Sequence, residues 1–153
     1  MYARHSSEGN VCVIGPVRRT PMDASEIQAD AIWEGVSPTV MARWRGSTGG
    51  NLKQANVTTI AYQVHDLHVS STAGAVASST GLTVSDVIFD TLQTDERWTK
   101  DTTGYNFRHT LGSTVFATGG HTYRVEYRLT ESSTGAEVSK VVYRMFAKNS
   151  LMD

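Results

Sequence analysis

The chain has little cysteine, little proline and no long apolar run. Its 153 residues contain one cysteine, Cys12, and three prolines, Pro16, Pro21 and Pro38. A single cysteine excludes an intrachain disulfide, so we expect stability to come from packing, as in a protein synthesised in a reducing cytoplasm. The first apolar run, residues 11–14, is too short for a signal-peptide core or a membrane span. We therefore expect neither an export signal nor a membrane partner.

No excess of charge of either sign is present. The 14 lysines and arginines oppose 15 aspartates and glutamates, and the formal net charge is -1. Such a balance gives no general attraction for nucleic acid or for an anionic membrane surface. With 39% hydrophobic residues, the chain is long enough to build one globular core. The composition therefore predicts one core domain that does not bind nucleic acid.

Motifs that would indicate catalysis are also missing. The sequence contains no Gly-x-Ser-x-Gly motif of hydrolases, no Gly-Lys-Ser/Thr motif and no Gly-x-Gly-x-x-Gly motif of nucleotide-binding loops. Serine is abundant only where turns are expected. We therefore predict that the protein is not an enzyme, with no catalytic residue and no cofactor.

What the sequence does contain is a series of Ser, Thr and Gly turn signals between short alternating runs. Alternation of apolar and polar residues with period two indicates half-buried strands. About seven short strands separated by turns are typical of an immunoglobulin-like (Ig-like) β-sandwich, and the all-β class follows from them. The clearest runs are residues 122–130, 57–67 and 105–111, and the weaker candidates are residues 40–45, 82–89 and 138–147.

The run 122–130 gives the most detailed prediction. Tyrosine, valine and leucine alternate with charged residues, so we expect one face to pack and the other to meet water. Tyr123 begins this run directly after the Gly-rich corner 118–120, which predicts a tyrosine corner, in which the phenol bonds to upstream backbone. The charged positions expected to face water are Arg124, Glu126 and Arg128.

The first 38 residues differ, because they hold all three prolines and show no sustained alternation. We predict an N-terminal arm over residues 1–38 and a sandwich over residues 39–153. The capping-box spacing of Asp23 and Glu26 in front of an apolar periodic run predicts a short helix in this arm. The arm either docks on a neighbouring molecule or covers an edge of its own sandwich. Docking is favoured, and its candidate interface residues are Ile14, Arg18, Arg19, Met22, Ile27 and Trp33.

Polar and aromatic clusters of the sequence are candidates for metal or ligand sites. His65 and His68 could hold zinc only if the chain turned between them, because residues three apart on a strand face opposite ways; we predict no metal ligand. The acidic stretch 86–101 lacks the calcium-loop pattern and is expected to be a solvated loop. Trp44 and Trp98 are both predicted to lie in the core rather than to form a binding platform.

Three stretches together resemble a known group of proteins. They are TTIAYQVHDL (58–67), LTVSDVIFDTLQTDERWTKDTTGYNFRHTL (82–111) and TGGHTYRVEYRLT (118–130). The chain resembles the small Ig-like proteins encoded among the virion structural genes of tailed bacteriophages and prophages. This resemblance implies a structural role in the virion, as a decoration or cement protein on the major capsid protein, or as a head-tail or tail component. It also implies many copies on a symmetric lattice or a homo-oligomer.

Two other classes stay open. Ig-like modules also serve in carbohydrate binding or adhesion, which an exposed aromatic cluster around Trp98 and Tyr105 would favour. A metal-dependent enzyme around His65 and His68 would require a stoichiometric metal.

Overall fold

The computed structural model describes residues 26–28, 31–69, 74–133, 135 and 137–150. These residues form two β-sheets with a single helical turn, α1 (Val84–Val87), and two short 3-10 turns (Gln54–Asn56 and Ser113–Phe116). The all-β prediction is confirmed. The strands are β1 (Glu26–Gln28), β2 (Ile32–Trp33), β3 (Thr39–Arg43), β4 (Val57–Asp66), β5 (Ala77–Ser79), β6 (Ile88–Gln93), β7 (Tyr105–Thr110), β8 (Thr122–Glu131) and β9 (Glu137–Lys148).

The two sheets divide the strands by their pairing. One sheet has four strands in the order β1-β3-β7-β6, and the other has five in the order β2-β9-β8-β4-β5. All neighbours are antiparallel except β2 and β9, which run parallel. Strands β8 and β9 form the hairpin that the alternation predicted. The register of β4 on β8 places Val64 opposite Val125, so both point into the core.

The core lies between the inner faces of the two sheets. Trp44, which follows β3, stacks on Phe107 of the same sheet at 4.0 Å between ring centroids. Tyr127 of the other sheet meets Phe107 edge-on at 5.1 Å. The Tyr143 hydroxyl donates to the carbonyl oxygen of Met41 across the layers at 3.2 Å. Aromatic packing and this cross-layer hydrogen bond hold the sheets face to face.

The tyrosine corner predicted at Tyr123 is present. Its hydroxyl accepts a hydrogen bond from the Thr118 amide at 3.1 Å and donates to the Thr118 carbonyl oxygen at 3.2 Å. Glu126, by contrast, was expected to meet water and is buried, where it pairs with Arg124. Pairing with a neighbouring arginine on the same strand explains how a carboxylate is accommodated there.

The described part of the predicted arm forms edge strands. Strand β1 pairs with β3 and β2 pairs with β9, so each sheet gains one outer strand from this segment. The helix predicted from the capping box is therefore wrong for residues 26–28 and 32–33. Backbone pairing with a sheet edge outweighs a local signal for a helix of about three turns, which is marginal without packing. Residues 1–25 and 29–30 lie outside the described residues, and the boundary at residue 38 stays a prediction.

The strand predicted over residues 82–89 is wrong in its first half. Residues 84–87 form α1, and the strand begins at Ile88. A buried Val87 and a buried Ile88 mark the change from helical turn to strand. Within the described part of the chain, no helix is long and apolar enough to cross a membrane.

Candidate functional site

The acidic loop that follows β6 is built into the fold. Asp101 pairs with Arg43 and accepts hydrogen bonds from the Trp98 indole nitrogen at 3.0 Å and from the Gly104 amide at 3.1 Å. The hydrogen bond from Arg43, followed by that from Trp98, holds the pKa of Asp101 far below its usual range. Part of the stretch predicted to be merely solvated is therefore a structural brace.

Asp95 has a similar role beside Tyr105. The Tyr105 hydroxyl donates to Asp95 at 2.7 Å, and this hydrogen bond is the main cause of the lowered pKa of Asp95. Desolvation, together with this carboxylate, raises the pKa of Tyr105. Both groups thus serve to fix the loop on the four-stranded sheet.

The aromatic residues of this loop are buried, as predicted for Trp98. Trp98 is 6% exposed and Tyr105 is 1% exposed, and both pack with Met41. Arg43 lies over the Trp98 ring at 5.9 Å. Trp98 and Tyr105 therefore do not form the exposed aromatic cluster that would favour carbohydrate binding.

Exposed aromatic side chains occur instead on the outer face of the five-stranded sheet. Trp33 is 52% exposed and Phe146 is 50% exposed. Trp33 is paired with Lys148 in the register of β2 and β9, and the Lys148 ammonium lies 5.4 Å from the Trp33 ring centroid. Phe146 lies two residues before Lys148, on the same face of β9. We call Trp33, Phe146 and Lys148, with Arg124 and Arg144, the Trp33–Phe146 face.

Glu34 fixes the short strand that carries Trp33. Its carboxylate accepts hydrogen bonds from the Gly119 amide and from the Ser150 amide, both at 2.7 Å. Its own amide donates to the Lys148 carbonyl at 3.0 Å. Any side chain at Gly119 would collide with Glu34 and Asn149. Because residue 119 has no side chain, the backbone there can pack closely against Glu34 and Asn149. This packing fixes the two-residue strand that carries Trp33.

The Trp33–Phe146 face is basic as well as aromatic. Arg124 and Arg144 are opposite each other on β8 and β9, and Lys148 adjoins Trp33. Glu126 is the acid next to them, and it is buried and paired with Arg124. Aromatic residues and arginine are the types enriched in protein interfaces.

The predicted interface residues can be placed only in part. Trp33 is exposed, as an interface residue must be. For Ile27 the structure describes the backbone, which pairs with Ala42. The other predicted residues lie outside the described residues: Ile14, Arg18, Arg19 and Met22. Phe146 was missed because apolar residues occupy both faces of the run 138–147, although Lys140 and Arg144 mark the face on which Phe146 lies.

A second cluster lies at the end of β4. The side chains of Asp66, His68 and His121 offer donor atoms that all lie within 4.8 Å of one another. Asp66 accepts a hydrogen bond from the His68 amide at 2.9 Å, and its other oxygen lies 2.7 Å from the His121 Nδ1. The rings of His68 and His121 stack at 4.7 Å. Burial of the carboxylate acts to raise its pKa, but the hydrogen bonds with the His121 ring and the His68 amide together outweigh burial, so the pKa of Asp66 is lowered.

The sequence suggested the wrong partner for His68. His65 lies on β4 before the turn, whereas the turn at Leu67 and His68 brings the latter ring back to the Thr122 amide at 3.1 Å. His121 is 53 positions from His68 and joins it through the pairing of β4 with β8. The signal that could have found His121 is its position directly before β8, whose first residues pair with the end of β4, where Asp66 lies.

A shallow pocket on the five-stranded sheet completes the set of candidates. Its volume is about 190 Å³, and its lining includes Tyr62, Ser78, Glu126 and Arg128. Sites for small molecules usually enclose about 300 Å³ or more. We assign no ligand to it.

Comparison of the chain with known protein families, with curated proteins and with solved structures found no match. The resemblance to Ig-like virion proteins therefore stays a prediction from the three stretches that suggested it.

Proposed function

We propose that the protein is a non-enzymatic structural component of a tailed-phage virion, an Ig-like sandwich that decorates or cements the capsid shell through its Trp33–Phe146 face. The partner is the major capsid protein, and many copies bind to a symmetric lattice. A head-tail connector or tail component is the alternative position within the same virion.

One observation carries this proposal: Trp33 and Phe146 lie half-exposed on adjacent strands of one sheet face. Large aromatic side chains that remain in water at neighbouring positions are the usual mark of a surface that another molecule covers. Tryptophan and arginine are also the residues that most often dominate binding energy. Glu34 holds this face in place before any partner arrives, which lowers the entropic cost of binding.

The charge of the face indicates the chemistry of its partner. Arg124, Arg144 and Lys148 lie around the two aromatic residues. Complementary charge across an interface sets orientation and speeds association, so the docking surface on the shell should be acidic. Since copies on a lattice bind together through avidity, each contact can be modest.

The Ig-like assignment has support from the sandwich itself. Two sheets pack over an aromatic core, and Tyr123 forms the corner that Ig-like domains use before a core strand. Fold alone does not determine function, so the virion role depends on the resemblance and on the exposed face.

The test is attachment to particles. Heads and tails of the phage or prophage that encodes the chain, produced without it, are incubated with the purified protein and sedimented. We expect wild-type protein to sediment with the heads. The double variant Trp33→Ser/Phe146→Ser should bind at least about thirtyfold more weakly, the loss that follows from about 2 kcal/mol at an interface anchor.

Val76→Ser is the matched control, because Val76 is 50% exposed on another part of the surface. It should bind like wild type. Sedimentation with tails alone would favour the alternative position, and binding to neither particle would disprove the virion role.

A further inference from the structure

Two imidazoles and one carboxylate meet at one end of the five-stranded sheet, although they come from distant parts of the chain. Asp66 is the last residue of β4, His68 lies in the turn that follows, and His121 directly precedes β8. We propose that Asp66, His68 and His121 form a binding site for a divalent transition metal, with zinc the ion that fits best. This inference is independent of the virion role.

The donor set points to zinc. Two imidazole nitrogens and one carboxylate oxygen make a three-ligand set that leaves a fourth tetrahedral position for water or another molecule. Calcium and magnesium prefer shells made of oxygen, and a site with two histidines is a poor match for either ion. The remaining histidines that the structure describes, His65 and His109, lie outside this cluster.

The cluster is partly assembled already. The Asp66 side chain is 7% exposed and is fixed by hydrogen bonds at both oxygens. Donor atoms around zinc lie about 3.3 Å apart, given bonds of about 2.0 Å. The donor atoms here lie within 4.8 Å of one another, so a small rotation of side chains closes the site. His68 is the exposed member, and its ring can turn with the least loss of packing.

Hydrogen bonding uses one nitrogen of each ring. The His121 Nδ1 faces Asp66, and the His68 Nδ1 accepts from the Thr122 amide. Among the residues that the structure describes, no hydrogen bond engages the Nε2 of either ring. The Nε2 atom of each imidazole is therefore not used by hydrogen bonding within the cluster and can serve as a metal ligand.

Metal binding must break one of these hydrogen bonds. If His68 coordinates through Nδ1, the lone pair that accepts from Thr122 is used by the metal. If it coordinates through Nε2, the proton of the neutral ring moves to Nδ1, which can then no longer accept. Either way the Thr122 amide loses its partner, so this amide reports binding at the proposed place.

The test uses the full chain without a polyhistidine tag and zinc chloride as the probe. Equilibrium dialysis should give one zinc per chain, and the Thr122 amide should shift in a ¹H–¹⁵N correlation spectrum. Saturating zinc should raise the midpoint of thermal unfolding by roughly 5 °C, because ligand binding stabilises the folded state. Less than one zinc per chain, or an unmoved Thr122 amide, would overturn the proposal.

Variants locate the site. His68→Gln, His121→Gln and Asp66→Asn should each weaken zinc binding by at least about tenfold. His65→Gln is the matched control, because it removes an imidazole from β4, next to Asp66 but outside the cluster. This variant should bind zinc like wild type. Circular dichroism checks that each variant is folded. If zinc binding survives in both histidine variants of the cluster, or is lost in the control, the assignment is wrong.

Discussion

All three tryptophans of the chain stand next to charged residues in sequence, and two of them, Trp98 and Trp33, differ most in exposure. Trp98 follows Arg97 and is 6% exposed, whereas Trp33 precedes Glu34 and is 52% exposed. Around Trp98, the charges belong to the fold: Asp101 accepts from its indole nitrogen and Arg43 lies over its ring. Around Trp33, Glu34 holds the backbone and leaves the ring in water.

The difference in exposure between the two tryptophans comes from strand pairing and loop packing, and not from the residues next to them in sequence. On β2 the inward position belongs to Ile32, so the alternation of the strand sends Trp33 outward. Trp98 lies in a loop that closes over Tyr105 and Met41, where its ring completes a small second core. An adjacent charge therefore does not tell whether a tryptophan stabilises the fold or is free to bind a partner.

The largest expected effect tests this comparison directly. Trp98→Ala should lower the free energy of unfolding by about 3 to 5 kcal/mol, because it leaves a cavity and removes the indole N–H that donates to Asp101. Trp33→Ala should change it by less than about 0.5 kcal/mol, the usual range for an exposed position. Urea unfolding followed by circular dichroism measures both values. Equal losses in the two variants would show that Trp33 supports the fold, and the case for a binding face would fall.

Much of the fold could be predicted from the sequence because its signals are local and repeated. Alternation identified β4, β7, β8 and β9, and a tyrosine after a Gly-rich corner identified the hydrogen bonds of Tyr123. Where a local signal competed with long-range pairing, the prediction was wrong. The capping-box pattern before Ile27 predicted a helix, but the edge of a sheet takes these residues as a strand.

The candidate sites were harder to predict, because their members are distant in sequence. His121 joins Asp66 only through the register of two strands, and no spacing rule relates residues so far apart. Phe146 is exposed because β9 turns one face to water. On a strand with apolar residues on both faces, the alternation of apolar and polar residues marks the exposed face only weakly. Trp33 was predicted to be an interface residue on the argument that an arm would carry it, and the structure shows that its side chain is exposed.

Asn106 offers the next test, because it shows how the four-stranded sheet uses polar groups internally. Its side chain is buried and accepts from the Trp44 amide at 2.6 Å while donating to the carbonyls of Trp44 and Leu52, both at 2.8 Å. Asn106→Ala leaves three buried backbone groups without these partners, so we expect a loss of about 2 to 3 kcal/mol in the free energy of unfolding.

Asn51→Ala is the control for Asn106, since Asn51 is an exposed asparagine of the segment 44–52, to whose backbone the Asn106 side chain bonds. Its effect should stay below about 0.5 kcal/mol. Similar unfolding midpoints for the two variants in urea would mean that the buried asparagine does not brace this loop.

The smallest expected effect concerns His109, a half-buried histidine of β7. The His109 Nδ1 lies 2.7 Å from the Tyr127 hydroxyl, and the Tyr62 ring packs on it at 5.1 Å. Burial lowers the pKa of His109 from its ordinary value of 6.5. Burial raises the pKa of Tyr127, which is therefore neutral throughout the acidic range.

Because the folded-state pKa of His109 lies below its unfolded value, the unfolded chain binds the proton first as the pH falls. The contribution of His109 to stability is therefore complete above about pH 6.5 and is lost as the pH falls through the folded pKa. Wild-type protein and His109→Gln should thus differ in the slope of unfolding free energy against pH below about pH 6.5, with the variant flatter. Urea midpoints measured across this range test the prediction, and parallel curves for wild type and His109→Gln would show that the half-buried ring takes up its proton without cost to the fold.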